Sequence, residues 1–252
     1  MTELMEGATP WSVEGGPVGA LCLHGFTGNP TSMRPVAEAF AAAGFAVELP
    51  RLPGHGTTVE DMITTTWADW TAAAEDAYQR LAARCEAVVV AGLSMGGSLT
   101  IWLATRHPEI AGIICINPAT QPQPDEIRDM VRGMVADGED RIAAIGSDIA
   151  DPDAVESAYA ATPLVPLLSL MDGLAALQGD LAAITCPVLI MTSPNDHVVE
   201  PANSDHLAAA VAGPVERVSL ERSYHVATLD YDGALVCERA VAFAQKVTAA
   251  AR

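Results

Sequence analysis

The chain has 252 residues, 50% of them hydrophobic and 18% charged, and its formal net charge is −19. This length suits one domain or one domain with an insertion, and the hydrophobic share allows a large core. The acidic excess argues against binding to nucleic acid, whose phosphates it cannot neutralise, and against electrostatic docking on anionic lipid.

Short apolar runs alternate with longer helical patterns along most of the chain. Strands are predicted at residues 18–23, 45–49, 87–91, 112–116, 188–192 and 215–220, and helices at 32–43, 66–83, 95–106, 202–212 and 234–250. Ser32 and Thr66 are candidate N-caps, and Gly44 is a candidate helix stop. Continuous apolar strands that alternate with helices predict an α/β fold, with a mostly parallel central sheet flanked by helices.

Residues 118–184 interrupt this alternation. This segment contains six prolines, a charged run at 125–132 and a leucine-rich stretch at 164–177, and no convincing strand. It is too long for a simple connection, so we expect a helical cap over the carboxyl ends of the strands. The predicted domains are a core formed by residues 1–117 and 185–252, and a cap formed by residues 118–184.

The cysteines and the first residues bear on location. The chain has five widely spaced cysteines and no C-x-x-C pair, which favours a reducing cytoplasm over a disulfide framework. The first six residues are acidic where a signal peptide would be basic. We therefore expect a cytoplasmic protein without a stable membrane anchor, as a monomer or a homodimer. No H-E-x-x-H motif or Cys/His cluster is present, so we expect no metal and no cofactor.

The most informative motif is G-x-S-x-G at residues 92–96, which lies between the predicted strand 87–91 and the predicted helix 95–106. A strand, a sharp turn and a helix around this motif are typical of a nucleophile elbow, in which the serine hydroxyl is exposed. A side chain at either glycine would collide with the neighbouring strand and helix. Ser94 is therefore the predicted nucleophile; a loop serine between two packed glycines is the plainer alternative.

A serine nucleophile needs a general base and a carboxylate that orients the base. In the α/β-hydrolase order, Ser, Asp or Glu, then His, the candidates that follow strand ends are Asp196 and His225. His197 is the competing base, but a residue next to the acid in sequence should point away from it. Asp172 is a weaker candidate acid, because a mobile cap would hold it poorly.

The oxyanion of an acyl-transfer reaction needs two hydrogen-bond donors. The backbone N–H of Met95, just after the nucleophile, is one candidate, and that of Phe26, in the loop after the first long strand, is the other. In the same loop, His24 is expected to be a buried hydrogen-bonding strut. His55, in a Pro-Gly-His-Gly turn, is expected to be structural.

Several motifs together resemble the bacterial monoacylglycerol lipases, which belong with the small carboxylesterases of the α/β-hydrolase superfamily. The motifs lie at residues 24–30, 32–35, 54–57, 92–97, 196–199 and 223–232. The resemblance runs from about residue 18 nearly to the end of the chain, and residues 121–140 depart from it most.

The resemblance implies an α/β-hydrolase fold and the cleavage of monoacylglycerols to glycerol and fatty acid through an acyl-enzyme. Ser94, His225 and Asp196 would form the triad, and Phe26 and Met95 would form the oxyanion hole. It also implies a substrate-binding tunnel for the acyl chain, lined by apolar side chains of the cap: Ile145, Leu164, Leu167, Leu170 and Met171. For any single leucine, packing between cap and core is the plainer role.

Two other functions stay open at this point. A short-chain carboxylesterase would use the same triad, and a chain-length series of esters separates it from a monoacylglycerol lipase. A non-catalytic receptor with the hydrolase fold is the third hypothesis, although a receptor has no need of an intact triad. Perhydrolysis or C–C bond hydrolysis on the same triad is also open, since fold does not fix chemistry.

Overall fold

The computed structural model of the chain describes residues 2–144 and 146–249. A seven-stranded sheet forms its centre, in the spatial order β1 (Trp11–Val13), β3 (Ala46–Leu49), β2 (Val18–Leu23), β4 (Ala87–Leu93), β5 (Gly112–Ile116), β8 (Val188–Thr192) and β9 (Val215–Ser219). Strand β1 pairs antiparallel with β3, and the other pairs are parallel.

The described residues also form eight α-helices, most of which cover the two faces of this sheet. They are α1 (Arg34–Ala42), α2 (Val59–Ile63), α3 (Trp67–Ala82), α4 (Met95–Ala104), α5 (Asp125–Ala136), α6 (Leu164–Leu177), α7 (Ala202–Ala210) and α8 (Gly233–Ala249). Side chains of α1 and α8 pack on one face, in a cluster that includes Phe40 and Phe243. Side chains of α3, α4, α6 and α7 pack on the other face, in a cluster that includes Trp70 and Leu99. The predicted α/β-hydrolase architecture is confirmed.

The helix ends show which local signals the chain uses. The N–H of Thr66 donates to the Asp69 carboxylate at 2.8 Å, so the predicted cap of α3 is confirmed. Gly44 follows α1 with a φ of +90°, a conformation that suits glycine, and it ends the helix as predicted. Ser32 is not a helix cap, because a 3₁₀ turn capped by Asn29 precedes α1.

The segment 118–184 contains a strand pair that the sequence analysis did not predict. Strands β6 (Arg141–Ala143) and β7 (Ala161–Pro163) form a small antiparallel sheet. The prediction of no strand was therefore wrong, because three-residue strands are too short to produce a period-two pattern. The same length explains why β1 was missed at the sheet edge. Helices α5 and α6 complete the segment, and its division from the core as a cap stays a prediction.

Candidate active site

Ser94 lies in a strained turn between β4 and α4. Its backbone has a φ of 56° and a ψ of −119°, and its N–H donates to the Ile116 carbonyl at 3.0 Å. A Cβ on Gly92 would lie 2.1 Å from the Gly96 carbonyl oxygen, and a Cβ on Gly96 would lie 2.0 Å from the Leu23 carbonyl oxygen. Both glycines are therefore required by close packing, as predicted. Ser94 itself is half-buried, whereas the other four residues of the motif at 92–96 are buried.

Asp196 and His225 meet at the carboxyl ends of β8 and β9. The Nδ1 of His225 lies 2.7 Å from Oδ2 of Asp196, and both side chains are nearly excluded from solvent. The other carboxylate oxygen of Asp196 accepts the N–H groups of Val198 and Val199 at 2.8 Å each. With Nδ1 donating to the carboxylate, Nε2 of His225 is left as the proton acceptor, the tautomer that a general base needs.

Asn117, which the sequence analysis missed, ties these elements together. Its Oδ1 accepts the Ser193 N–H at 2.8 Å, and its Nδ2 donates to the carbonyl of His225 at 2.8 Å and to that of Tyr224 at 3.2 Å. Asn117 is buried at the end of β5 with a φ of 42°, a conformation that asparagine tolerates better than most residues. One amide therefore fixes the strand end before the acid and the loop that carries the base.

The loop after β2 lies directly against the elbow. A Cβ on Gly25 would lie 3.4 Å from the Ser94 Cβ, so the residue before Phe26 lies beside the serine. The Phe26 ring packs edge-on against Trp70 at 5.7 Å, and the N–H of Tyr159 donates to the Thr27 carbonyl at 3.1 Å. The loop is thus held from both sides. The oxyanion roles of Phe26 and Met95 stay predictions.

His24 is a buried strut, as predicted. Its Nδ1 lies 3.0 Å from the Gly25 carbonyl, and its Nε2 accepts the Leu52 N–H at 3.1 Å, so the ring is neutral. Burial and the neighbouring His55 hold its pKa well below the usual range. Burial also lowers the pKa of His55 to about 4, and its ring lies 6.4 Å from that of Phe26. The two rings support the loop as uncharged side chains.

The alternative base and the alternative acid contact other residues. His197 is largely exposed, and its Nδ1 pairs with Asp148 at 2.8 Å rather than with Asp196. Asp172 lies exposed on α6, where it pairs with Arg128. The structure brings neither residue to the His225 ring.

Glu156 is a second residue that the sequence analysis did not identify. It is half-buried, and its Oε1 would lie 3.1 Å from a Cβ on Gly28, so the carboxylate faces the loop after β2. Burial raises its pKa, and the nearby His225 has the opposite effect. A lone glutamate in an insertion without a periodic pattern carries no sequence signal, so only the fold shows that it adjoins the site.

The predicted acyl-binding side chains lie mostly on α6. Leu164, Leu167 and Met171 pack with Val131 of α5, and Leu170 belongs to the larger core cluster. Of the α6 residues named, Leu167 is only half-buried. Ile145 lies outside the described residues. Whether these side chains line an acyl tunnel stays a prediction.

In the described part of the chain, no group of three or more His, Cys, Asp or Glu side chains could hold a metal ion. Among residues 2–144 and 146–249, none of the helices combines the length and apolar character needed to span a bilayer.

The chain is similar to known lipolytic enzymes and esterases. The chain is 48% identical to a thermostable monoacylglycerol lipase of Bacillus sp. (strain H-257), over 96% of each chain. It is 25% identical to a carboxylesterase of Bacillus subtilis (strain 168), over 94% of this chain and 96% of that one. The solved structure of a metagenome-derived lipolytic enzyme superposes with a TM-score of 0.92 at 41% identity, covering 97% of this chain and 100% of the other.

A family-level match spans most of the sequence. The family model described as serine aminopeptidase, S33, matches residues 19–232, which include the elbow, the acid and the base. The chain therefore belongs to the serine aminopeptidase S33 family of α/β hydrolases.

Proposed function

We propose that this protein hydrolyses monoacylglycerols, with Ser94 as nucleophile, His225 as general base and Asp196 as the orienting acid. The observation that carries the proposal is the 2.7 Å contact between Asp196 Oδ2 and His225 Nδ1 at the sheet edge that also holds the strained Ser94 turn. A carboxylate, an imidazole and a serine held at one sheet edge together supply the chemistry of acyl transfer.

The reaction follows from these positions. Ser94 Oγ attacks the ester carbonyl while His225 Nε2 takes the hydroxyl proton. The N–H groups of Phe26 and Met95 stabilise the oxyanion, helped by the N-terminus of α4. His225 then gives the proton to the leaving glycerol oxygen, which breaks the ester bond and leaves an acyl-enzyme. A water molecule, deprotonated by His225, releases the fatty acid and restores Ser94.

Two observations support glycerol as the leaving group. One is the 48% identity to a relative named as a monoacylglycerol lipase. The other is Glu156, a half-buried carboxylate beside Gly28 and near His225. A carboxylate accepts hydrogen bonds from adjacent hydroxyl groups, and the free hydroxyls of a monoacylglycerol supply them. We infer that Glu156 binds the glycerol moiety.

The acyl chain is proposed to lie against the α6 side of the insertion, which carries Leu164, Leu167, Leu170 and Met171. A half-buried leucine is the best place to test this, because a larger side chain there blocks space without breaking the core. The variant Leu167→Trp is expected to lower turnover of long-chain esters more than that of short-chain esters. Equal loss at all chain lengths would contradict this placement.

The substrate experiment measures kcat and KM for 1-monoacylglycerols of increasing chain length and for p-nitrophenyl esters of the same acids. Glu156→Gln is expected to raise KM for monoacylglycerols roughly tenfold, the cost of one hydrogen bond to a charged group, and to leave the p-nitrophenyl esters nearly unchanged. Glu139→Gln is the matched control, because Glu139 is exposed in the same insertion.

The same measurements separate the alternatives. Turnover confined to acetate and butyrate esters would favour the short-chain carboxylesterase, which the relative named as a carboxylesterase supports. Hydrolysis of amino-acid p-nitroanilides in place of esters would favour a peptidase. A receptor would show the same negligible turnover before and after Ser94→Ala.

We also propose a cytoplasmic location, which the free state of the five cysteines supports. Cell fractionation with antibody detection tests it, and recovery in the secreted fraction would contradict it.

A further inference from the structure

Asp148 is a carboxylate that the reaction described above does not use. It lies in the insertion between α5 and α6, and its side chain is only 10% exposed. A buried carboxylate is costly unless donors surround it, so the groups that it binds indicate its role.

Three donors from two different loops converge on Asp148. Its Oδ2 accepts the main-chain N–H of His225 at 3.1 Å and that of His197 at 3.0 Å. Its Oδ1 lies 2.8 Å from Nδ1 of the His197 ring, which stacks edge-on against Tyr224 at 4.6 Å. The Asp148 carboxylate thus connects His197, the residue after Asp196, to His225.

Backbone groups of the insertion also form hydrogen bonds with the loop that carries His225. The Val226 N–H donates to the Asp148 carbonyl at 3.1 Å. In the opposite direction, the N–H groups of Ala150 and Asp151 donate to the Asp230 carboxylate at 2.8 and 3.1 Å. The position of Asp148 relative to His225 is therefore fixed at several points.

From these contacts we propose that Asp148 is a positioning residue for His225. Asp196 holds the imidazole through its ring, and Asp148 holds the same residue through its main chain, so that Nε2 stays aimed at Ser94. The proposal rests on the proposed function, because it takes His225 as the base. It also means that the insertion contributes to the geometry of proton transfer as well as covering the acyl chain.

The expected size of the effect follows from the sensitivity of proton transfer to position. A displacement of about 1 Å in a reacting group costs on the order of a hundredfold in rate. Asp148→Ala removes the acceptor of both main-chain N–H groups, so we expect kcat to fall about 10- to 100-fold. The acyl and glycerol contacts are untouched, so KM should stay within about threefold.

Conservative variants distinguish positioning from charge. Asp148→Asn keeps an oxygen that can accept the two main-chain N–H groups, so kcat should stay within about threefold of wild type. Asp148→Glu keeps the charge but moves the carboxylate by one methylene group, so kcat should fall at least about fivefold. Asp148→Glu also provides the test if Asp148→Ala does not fold.

The experiment measures kcat and KM for one 1-monoacylglycerol, with the melting temperature of each variant and assays well below it. Asp153→Ala is the matched control, because Asp153 is exposed in the same segment. Ser94→Ala measures the background rate without the proposed nucleophile. If Ser94→Ala retains wild-type turnover, the proposed function is contradicted, whatever the Asp148 variants show. Wild-type kcat in folded Asp148→Ala or Asp148→Glu would overturn the proposal, and so would equal losses in Asp148→Asn and Asp148→Ala.

Discussion

The variant Asn117→Asp tests whether one buried amide holds the acid and base loops together. The substitution keeps the shape of the side chain and its acceptor for the Ser193 N–H, but it removes both N–H donors. The Asn117 Nδ2 lies 2.8 Å from the His225 carbonyl oxygen and 3.0 Å from Ser193 Oγ. In the variant, a carboxylate would face these oxygen atoms with nothing to donate to them.

The cost can be worked from these contacts. The Tyr224 carbonyl keeps a partner, because Ser193 Oγ donates to it at 2.8 Å. The His225 carbonyl loses the Asn117 donor, which costs about 1–3 kcal/mol if nothing replaces it. The charge buried beside oxygen atoms brings the total to about 3–5 kcal/mol. For a chain of this size, that lowers Tm by on the order of 10 °C.

Thermal unfolding at pH 8 and the kcat for a monoacylglycerol are the two assays, with Asn195→Asp as the control. Asn195 is exposed in the loop that carries the acid, so the same chemical change there should shift Tm by no more than about 2 °C. We expect Asn117→Asp to lose both stability and kcat. A Tm and kcat equal to those of Asn195→Asp would refute the account of how the site is held.

Three further predictions use single substitutions. Gly96→Ala should abolish activity, because its Cβ would lie 2.0 Å from a backbone oxygen. Gly133→Ala has open space around it in α5 and should raise the free energy of unfolding by about 0.5–1 kcal/mol. Urea titrations and kcat measurements on both variants check this. The pKa of His55 is about 4 in the folded protein and about 6.5 in the unfolded chain. The free energy of unfolding is therefore highest above pH 6.5, and it falls by about 3 kcal/mol as the pH drops toward 4, because the unfolded chain takes up the proton first. His55→Gln should make that dependence shallower by the share of His55, while buried His24 keeps its own share; an unchanged slope in urea titrations between pH 7 and 4.5 would contradict this. His197→Ala should change kcat by less than about threefold, whereas His225→Ala should lower it by at least about a thousandfold; the reverse order would make His197 the base.

Elements with a long, regular pattern could be predicted from the sequence. The buried strands of the parallel sheet are continuous apolar runs, and all six predicted strands were observed. Four of them end at the predicted residue, which is Leu23, Leu49, Ile116 or Thr192. The G-x-S-x-G motif predicted the strained turn, because two glycines are needed where β4, α4 and β2 approach closely. The pairing of Asp196 with His225 followed from chain order and strand ends alone.

The parts that could not be predicted depend on contacts between distant segments. Asn117, Asp148 and Glu156 are single polar residues whose partners the sequence does not show, and each gains its importance only when the fold brings another loop to it. The hairpin of β6 and β7 is too short to leave a pattern. Ser32 has a residue type that is common at helix caps, but it lies inside a 3₁₀ turn that is capped by Asn29.

The most direct test of the central claim is covalent labelling with a serine-reactive fluorophosphonate, followed by intact-mass measurement and peptide mapping. The account predicts one adduct per chain, on Ser94, with labelling lost in Ser94→Ala and slowed at least about a thousandfold in His225→Ala. An adduct on another serine, or labelling of Ser94 at the wild-type rate without His225, would contradict it.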